Sequence, residues 1–288
     1  SRDNGTTFTQ ITLADQGFLL GNGGIDGNTQ TMLHMDGSDN GTTFTDSCTE
    51  GGNTAKVWTA SGNAHTSTDQ FKFGTASAQF DGTGDWINTP ATSDWDFGSD
   101  DFTIDFWMRP GVVDSQQRIF GNLNSGGSSS QFEFILGGSN NMSFGGSAPS
   151  GLAVTNGATL AVNTWYHIAA TRNGNDWRLF VNGTAGSTAS FSGAMNANTT
   201  TSIGRSGEYN AQLYTGFIDE VRITTGVALW TSNFSVPVGP YQTSRRLLSG
   251  SVDISGQPSG TNVKYKITTH NQAATKQTRV YGTSMAWT

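Results

Sequence analysis

The chain contains 288 residues, of which 34% are hydrophobic and 13% are charged, and it is rich in glycine, serine, threonine and asparagine. Such a composition is poor in helix formers and predicts an all-β protein. The net charge of −7 and the absence of long apolar runs exclude a basic nucleic-acid groove and membrane insertion. The single cysteine, Cys48, excludes an intrachain disulfide and is interpreted as a small buried hydrophobe.

Three regions follow one another along the chain. Residues 1–28 are rich in glycine and asparagine and are predicted to form an N-terminal arm or linker. From residue 29 to residue 242, strand and turn signals recur at the spacing of a β-sandwich, which we expect to be the main domain. Residues 243–288 contain several short strand patterns and are predicted to form a small C-terminal β module. Because both end regions have few apolar residues to bury, we expect them to contact other chains.

The clearest strand pattern lies in Asp101–Pro110. Its apolar residues Phe102, Ile104 and Phe106 alternate with the residues between them. A two-residue period predicts a strand with one buried face.

A hairpin follows later in the chain. Trp165–Arg172 and Trp177–Val181 are predicted to be two strands, joined by Asn, Gly and Asp residues that tolerate positive φ. Asn182-Gly183 predicts a second tight turn directly after them. Val227–Trp230 is predicted to form one short helical turn.

Five segments together carry a family resemblance. They are Met32–Gly37, Ala78–Ile87, Phe102–Pro110, Trp165–Gly183 and Phe217–Ile223. In this order they closely resemble the laminin-G-like domains of the concanavalin A-like lectin/glucanase superfamily. The resemblance implies a jelly-roll sandwich of two antiparallel sheets, one of them concave.

Two further segments are similar to a subset of that superfamily. Gly226–Pro237 resembles the version found in tailed-phage virion proteins and marine bacterial surface proteins, and Arg279–Trp287 resembles the ends of phage tail or fibre proteins. The resemblance implies a protein on a virion surface or otherwise extracellular. Its expected partners are other virion proteins and copies of itself, with a homotrimer as the expected assembly.

Because some relatives with this fold are glucanases, the acidic residues are candidates for catalysis. Glycoside hydrolysis requires two carboxylates, which on one face of a strand lie two or four residues apart. The E-x-D-x-E pattern of such relatives is missing, and adjacent Asp219 and Glu220 point to opposite faces of a regular strand. Asp101 belongs to the turn before the strand that contains Asp105. We therefore expect no enzymatic activity, and we interpret His167 as a satisfied sheet histidine.

Calcium is the one expected cofactor. In the superfamily, an acid near each end of the domain often shares a structural ion, and the matching positions are Asp36 and Asp219. Calcium takes about 6–8 oxygen ligands, which loop carboxylates and carbonyls supply. The alternative is that Asp219 caps a turn and that Asp36 begins one.

Loop acids, aromatic rings and amides are the candidates for glycan binding. Asp81 and Asp85 surround two glycines and precede Trp86, so this segment is either a second metal or sugar loop or a plain turn with solvated acids. Sugar recognition needs an aromatic platform and planar hydrogen-bonding groups, for which Trp86, Asn122 and Tyr209 are candidates. Core packing is the alternative for each aromatic residue.

These observations lead to one expectation and two alternatives. We expect a non-enzymatic, lectin-like protein of a phage tail fibre or capsid appendage that mediates adhesion to host-surface glycans. The first alternative is a purely structural protein that decorates or cements a shell, or assembles a fibre, without binding sugar. The second is a glycan-processing enzyme, which the missing carboxylate geometry disfavours.

Overall fold

The computed structural model describes residues 14–19, 24–49, 53–146, 153–196, 199–242 and 245–249. The chain divides into two compact units, one made of Ser1–Phe18 with Arg246–Thr288 and the other of Leu19–Arg245. In the smaller unit, strands β1 (Ala14–Leu19) and β18 (Arg245–Ser249) pair in a two-stranded sheet. The other strands predicted for the tail lie outside the described residues, and the predicted boundaries at residues 28 and 242 stay predictions.

The larger unit is an antiparallel sandwich of two sheets, each with eight strands. The strands are β2 Thr29–Leu33, β3 Thr43–Thr45, β4 Val57–Ser61, β5 His65–Ser67, β6 Ser77–Asp81, β7 Trp86–Thr89, β8 Phe102–Pro110, β9 Gln117–Gly121, β10 Glu133–Leu136, β11 Met142–Gly145, β12 Ala153–Asn156, β13 Tyr166–Asn173, β14 Asp176–Val181, β15 Thr184–Ser190, β16 Thr201–Ile203 and β17 Thr215–Thr225. Sheet A has the order β12-β11-β10-β9-β16-β7-β4-β3, and sheet B has the order β15-β14-β13-β8-β17-β6-β5, with β2 also paired to β17. Within the described residues, no helix has the length and apolar character needed to cross a membrane. The predicted all-β, two-sheet sandwich is confirmed.

The core lies between the two sheets. On β8 of sheet B, Phe106 packs edge-on against Phe120 and Phe134 of sheet A, with ring centroids 6.0 and 5.0 Å apart. Phe102 and Ile104 belong to the same buried cluster. The alternating apolar residues of the sequence therefore form the inner face of sheet B, as predicted.

The outer face of β8 is also buried, so the prediction of one buried face is wrong. Asp105 is fully buried and Trp107 is 3% exposed. Residues 227–241 cover this face in an irregular conformation, and the helical turn predicted at Val227–Trp230 is absent there. Trp230 stacks on Phe234 with ring centroids 4.0 Å apart. Residues 227–241, which we call the cover, therefore bury polar side chains on the outer face of sheet B, the face opposite the core.

The turns of the central hairpin follow the sequence closely. Gly174 has a φ of 60° between β13 and β14, and Asn182 and Gly183 have φ values of 48° and 75°. Two successive residues at positive φ are typical of a type I′ turn, which suits the twist of a hairpin. A Cβ at Gly183 would lie 2.0 Å from the carbonyl oxygen of Phe234, so only glycine fits.

Strand β17 contains a bulge that the sequence did not predict. Its pairing with β8 shifts between Asp219 and Arg222, and Glu220 adopts a φ of 51°. Ile218 and Val221 both lie in the core. The two acids between them therefore turn to the same outer face, whereas on a regular strand they would point to opposite faces. The assumption of a regular strand at this point is wrong.

Candidate functional site

An open cleft lies where three chain connections pass between the sheets. These connections are β6–β7, β8–β9 and β16–β17, and the cleft has a volume of about 540 Å³. It is lined by Gly82, Thr83, Gly84, Val112, Ser115, Gln116, Gln117, Asn210, Ala211, Gln212, Leu213 and Thr215. Hydroxyl and amide groups prevail among these side chains, so the cleft can donate and accept many hydrogen bonds.

A second, smaller cleft lies on the outer face of sheet A. Its volume is about 220 Å³, and its lining includes Glu133, Ile135 and Ser143. Phe132 and Phe134 belong to the core, so alternation along β10 points Glu133 away from the core.

A row of polar side chains connects the two clefts. Gln212 lines the larger cleft, and its Nε2 donates to Oε1 of Gln116 at 3.3 Å. Nε of Arg118 donates to Oε1 of Gln212 at 3.1 Å, and Nη1 of Arg118 forms an ion pair with Oε1 of Glu133. The clefts are therefore joined through one guanidinium group.

A tyrosine ring lies beside this row. The guanidinium carbon of Arg118 is 4.8 Å from the centre of the half-buried Tyr209 ring. Tyr209 also packs against Gly127, where a Cβ would lie 2.8 Å from the ring. We refer to Arg118, Glu133 and Tyr209 as the open trio. Its aromatic surface and planar guanidinium group are suited to a polar ligand with flat apolar faces.

The loop between Asp81 and Asp85 forms one wall of the larger cleft. Oδ2 of Asp85 accepts from the backbone N–H of Asp81 at 2.7 Å, and both carboxylates accept from the N–H of Thr83. Asp85 is 1% exposed, and burial raises its pKa to about 6. The two acids thus hold the turn in shape, and Gly82 and Gly84 present its backbone to the cleft.

Trp86 and Asn122 were both predicted as sugar contacts. The guanidinium carbon of Arg205 lies 3.6 Å from the centre of the Trp86 ring, so one face of this indole is covered, as Arg118 covers one face of Tyr209, and Trp86 stays a predicted contact. Asn122 is fully buried, and its side-chain oxygen accepts from the N–H groups of Gln131 and Phe132. Asn122 stabilises a loop and has no surface left for a ligand, which corrects its prediction as a sugar contact.

Sequence reasoning missed Gln116, Gln212, Arg118 and Glu133 as site residues. Alternation along β10 was a usable signal for the outward direction of Glu133. No sequence signal pairs it with Arg118, because the register between β9 and β10 shifts next to Phe134. Gln212 arrives from a loop far along the chain.

The two predicted calcium ligands both bind amides of one loop. Oδ1 of Asp36 accepts from the N–H of Thr75, and Oδ2 of Asp219 accepts from the N–H groups of Lys72 and Phe73 at 2.8 and 3.1 Å. The other oxygen of Asp219 accepts a third amide hydrogen, and burial raises the pKa of this carboxyl well above its usual range. Among the described residues, no group of three or more His, Cys, Asp or Glu side chains is placed to hold a metal.

These residues fit a capped loop better than a calcium ligand set, because amide hydrogens already occupy the oxygens of Asp219. Calcium stays a prediction, and a thermal melt of the full chain with and without EDTA tests it. A lower midpoint in EDTA supports calcium, and an unchanged midpoint contradicts it.

A second arginine–carboxylate–tyrosine group lies under the cover of sheet B. Nε of Arg222 donates to Oδ1 of Asp105 at 2.9 Å, and both side chains are fully buried. The Arg222 guanidinium carbon lies 3.9 Å from the centre of the Tyr241 ring, and the Tyr241 hydroxyl donates to Oδ2 of Asp105. We refer to Asp105, Arg222 and Tyr241 as the buried trio. His167 contacts it through Nε2, 3.2 Å from Oδ2 of Asp105, and is fully buried as a sheet residue.

Solved structures with similar folds are distant in sequence. Domain 4 of AbnA, an extracellular GH43 arabinanase from Geobacillus stearothermophilus solved with arabinotriose, is 17% identical, with a TM-score of 0.50 over 69% of this chain and 93% of that one. The binding domain of Paraclostridial Mosquitocidal Protein 1 is 15% identical, with a TM-score of 0.53 over 70% of this chain and 50% of that one.

A structure of botulinum neurotoxin type C, whose cell entry depends on two ganglioside molecules, is 12% identical, with a TM-score of 0.53. The match covers 73% of this chain and 50% of that one, so this chain corresponds to about half the length of the toxin domains. At these identities the likeness shows the fold.

The amino-acid sequence was also compared with curated proteins and with models of protein families. No curated protein matches the chain. The model for the concanavalin A-like lectin/glucanases superfamily, Laminin_G_3, matches residues 81–230, which is more than half of the chain. The matched segment runs from the cleft loop to Trp230 of the cover and includes the central strands. The chain belongs to the concanavalin A-like lectin/glucanases superfamily, as its sequence predicted.

Proposed function

We propose that this protein binds carbohydrate in the two clefts joined by Arg118. The observation that carries the proposal is the continuous row Gln116–Gln212–Arg118–Glu133 beside the half-exposed ring of Tyr209. Sugars present hydroxyls that both donate and accept hydrogen bonds, together with flat C–H faces. Amide, guanidinium and aromatic groups placed side by side complement both features.

Two structural neighbours support this proposal by what they bind. One was solved with arabinotriose, and the other enters cells through gangliosides. Arabinotriose and gangliosides are ligands of those two proteins. For this chain, the support is that other proteins with this sandwich fold bind glycans.

We also propose that the protein is not an enzyme. Glycoside hydrolysis needs two carboxylates about 5–9.5 Å apart across the scissile bond. Glu133 is the carboxylate that lines the clefts in the described part of the chain, and it is held by Arg118. A single carboxylate does not supply the pair that the reaction requires, which favours binding over catalysis.

The biological setting we propose is adhesion to host-surface glycans from a virion surface. It is supported by the resemblance of Gly226–Pro237 and of the C-terminal segment to phage virion proteins. In that setting the partners are other virion proteins and copies of the chain, as a homotrimer. Light scattering of the purified chain at micromolar concentration tests the assembly, and a monomer contradicts it.

Glycan-array binding by the full chain tests the proposed function. We expect selective binding by the wild type and a loss of about tenfold or more in Tyr209→Ala, because a central aromatic contact is removed. Phe71→Ala is the matched control, since Phe71 is an exposed aromatic residue, 43% accessible, on the β5–β6 connection, away from the cleft lining. Equal losses in the two variants would contradict the assignment of the site.

The structural alternative predicts a different result in the same assay. A protein that decorates or cements a shell without binding sugar gives no signal on the array while remaining folded. Silence from a chain with a cooperative thermal transition would therefore favour that alternative.

A further inference from the structure

We infer that the glycan taken by this site is neutral rather than acidic, and that Glu133 sets this preference. The inference rests on the proposed function and names the class of sugar that the clefts accept. It follows from the charges around the open trio and on the cleft walls.

The larger cleft contains no charged side chain among its described lining residues. Its exposed polar groups include the hydroxyl of Ser115 and the amides of Gln116, Asn210 and Gln212. Amides and hydroxyls both donate and accept, which matches the hydroxyls of a neutral sugar. A uronic or sialic acid carboxylate accepts without donating, and its recognition normally uses an arginine or lysine.

The cation that joins the two clefts is already ion-paired. Arg118 forms its ion pair with Glu133, and the side chains of the two residues are 15% and 12% exposed. Arg118 gives a further hydrogen bond to Gln212. At this degree of burial the charges interact more strongly than in bulk water. A sugar carboxylate approaching Arg118 would therefore meet the repulsion of Glu133 without gaining an unpaired cation.

The wider surroundings act in the same direction. Asp81 is exposed on the loop that forms the cleft wall, and Asp85 lies beneath that loop. The whole chain carries a net charge of −7. An acidic polysaccharide is therefore repelled at long range as well as at the site.

Affinity electrophoresis of the full chain tests this inference. The gels contain either a neutral polymer, such as arabinan or β-glucan, or an acidic polymer, such as polygalacturonate or alginate, at physiological ionic strength. We expect retardation by at least one neutral polymer and none by the acidic ones. Retardation by an acidic polymer alone would overturn the preference and leave carbohydrate binding standing. Retardation by none would overturn the proposed function and this inference with it.

The variant Glu133→Gln tests the residue that sets the preference. Removing its charge exposes the Arg118 cation, so we expect acidic oligosaccharide binding to rise roughly tenfold in microcalorimetry. Asp176→Asn is the matched control, because it also removes the carboxylate of an arginine pair, that with Arg178, on sheet B. An equal rise in both variants, or none in Glu133→Gln, would overturn the role of Glu133. Should that variant not fold, the wild-type gels still decide between neutral and acidic sugars.

Discussion

Each outer face of the sandwich carries an arginine that bonds a carboxylate and lies against a tyrosine ring. On sheet B the arginine and carboxylate are fully buried, and the ring centre lies 3.9 Å from the guanidinium carbon. On sheet A the corresponding side chains are 15% and 12% exposed, and the ring lies at 4.8 Å. The difference between them is the cover: residues 227–241 close the first group and leave the second open.

This difference in burial distinguishes the buried trio, which stabilises the fold, from the open trio, which we propose binds a ligand, although both contain the same residue types. A buried ion pair has been removed from water, so losing either partner leaves an uncompensated charge. The Arg118–Glu133 pair is largely buried but keeps part of its hydration, so losing one partner should cost less than in the fully buried pair. Its unused donors and acceptors are then available to a ligand. The predictions below vary one group at a time to test this separation.

The largest effect is expected for the buried carboxylate. We predict that Asp105→Asn lowers the free energy of unfolding by about 3–5 kcal/mol, because Arg222 is left buried without a countercharge. Glu133→Gln, at the open trio, should lower it by less, about 1–2 kcal/mol, because this pair keeps part of its hydration. Urea denaturation of both variants measures the difference. Equal losses, or a larger loss in Glu133→Gln, would remove the distinction between the two groups.

A smaller effect is expected for the buried tyrosine hydroxyl. Tyr241→Phe removes the O–H that donates to Asp105 and should cost about 1–2 kcal/mol of unfolding free energy. Tyr209→Phe is the comparison at the open trio and should change it by less than about 0.5 kcal/mol. If Tyr241→Phe is as harmless as Tyr209→Phe, the hydroxyl bond contributes nothing to folding.

The buried trio should also make stability depend on pH. Burial lowers the pKa of His167 below its usual value of 6.5, although its bond to Asp105 acts in the opposite direction. Burial acts to raise the pKa of Asp105, but Arg222 and His167 outweigh it and hold the pKa below 3.8. Both groups bind protons more readily in the unfolded chain, so their contribution to stability is lost as pH falls below about 6.5, and further below about 4. Asp85 and Asp219, whose pKa values are raised, act in the opposite direction, so the effect is measured as the difference between the wild type and His167→Gln.

Thermal midpoints measured between pH 8 and pH 4 test this dependence. His167→Gln should flatten the upper part of the curve, whereas His65→Gln, a partly exposed histidine with a local bond to Asn63, should leave it unchanged. A difference in midpoint between the wild type and His167→Gln that stays constant from pH 8 to pH 5 would contradict the role of His167.

The smallest effect on folding is expected for the open ring. Tyr209→Ala should change the unfolding free energy by less than about 0.5–1 kcal/mol, because the ring is half-buried at a loop. The same variant should lose glycan binding. A strong loss of stability would mean that Tyr209 packs as a core residue. The loss of glycan binding would then follow from unfolding and would not identify a binding site.

Local patterns predicted the inner face of the sandwich well. Phe102, Ile104 and Phe106 showed the period of a strand, and Asn182-Gly183 showed a hairpin turn, because both signals depend on residues next to each other. Cys48 is fully buried, as its interpretation as a small hydrophobe required.

The outer faces could not be predicted in the same way. Asp105 is buried under the distant segment 227–241, in which Tyr241 contacts it directly, so the alternating pattern around it implied exposure. The bulge at Glu220 depends on a residue other than glycine accepting positive φ, which no local pattern indicates. The open trio lies at a register shift between β9 and β10, which no local pattern in the sequence indicates.

Nuclear magnetic resonance of the isotope-labelled full chain, titrated with a neutral oligosaccharide found by array, tests the central claim most directly. The side-chain Nε–H signals of Arg118 and Arg222 report on the two groups within one sample. We predict a saturable shift of the Arg118 signal and of the Gln212 side-chain amide, with the Arg222 signal unmoved. Binding that leaves Arg118 and Gln212 unmoved would contradict the assignment of the open trio as the carbohydrate site.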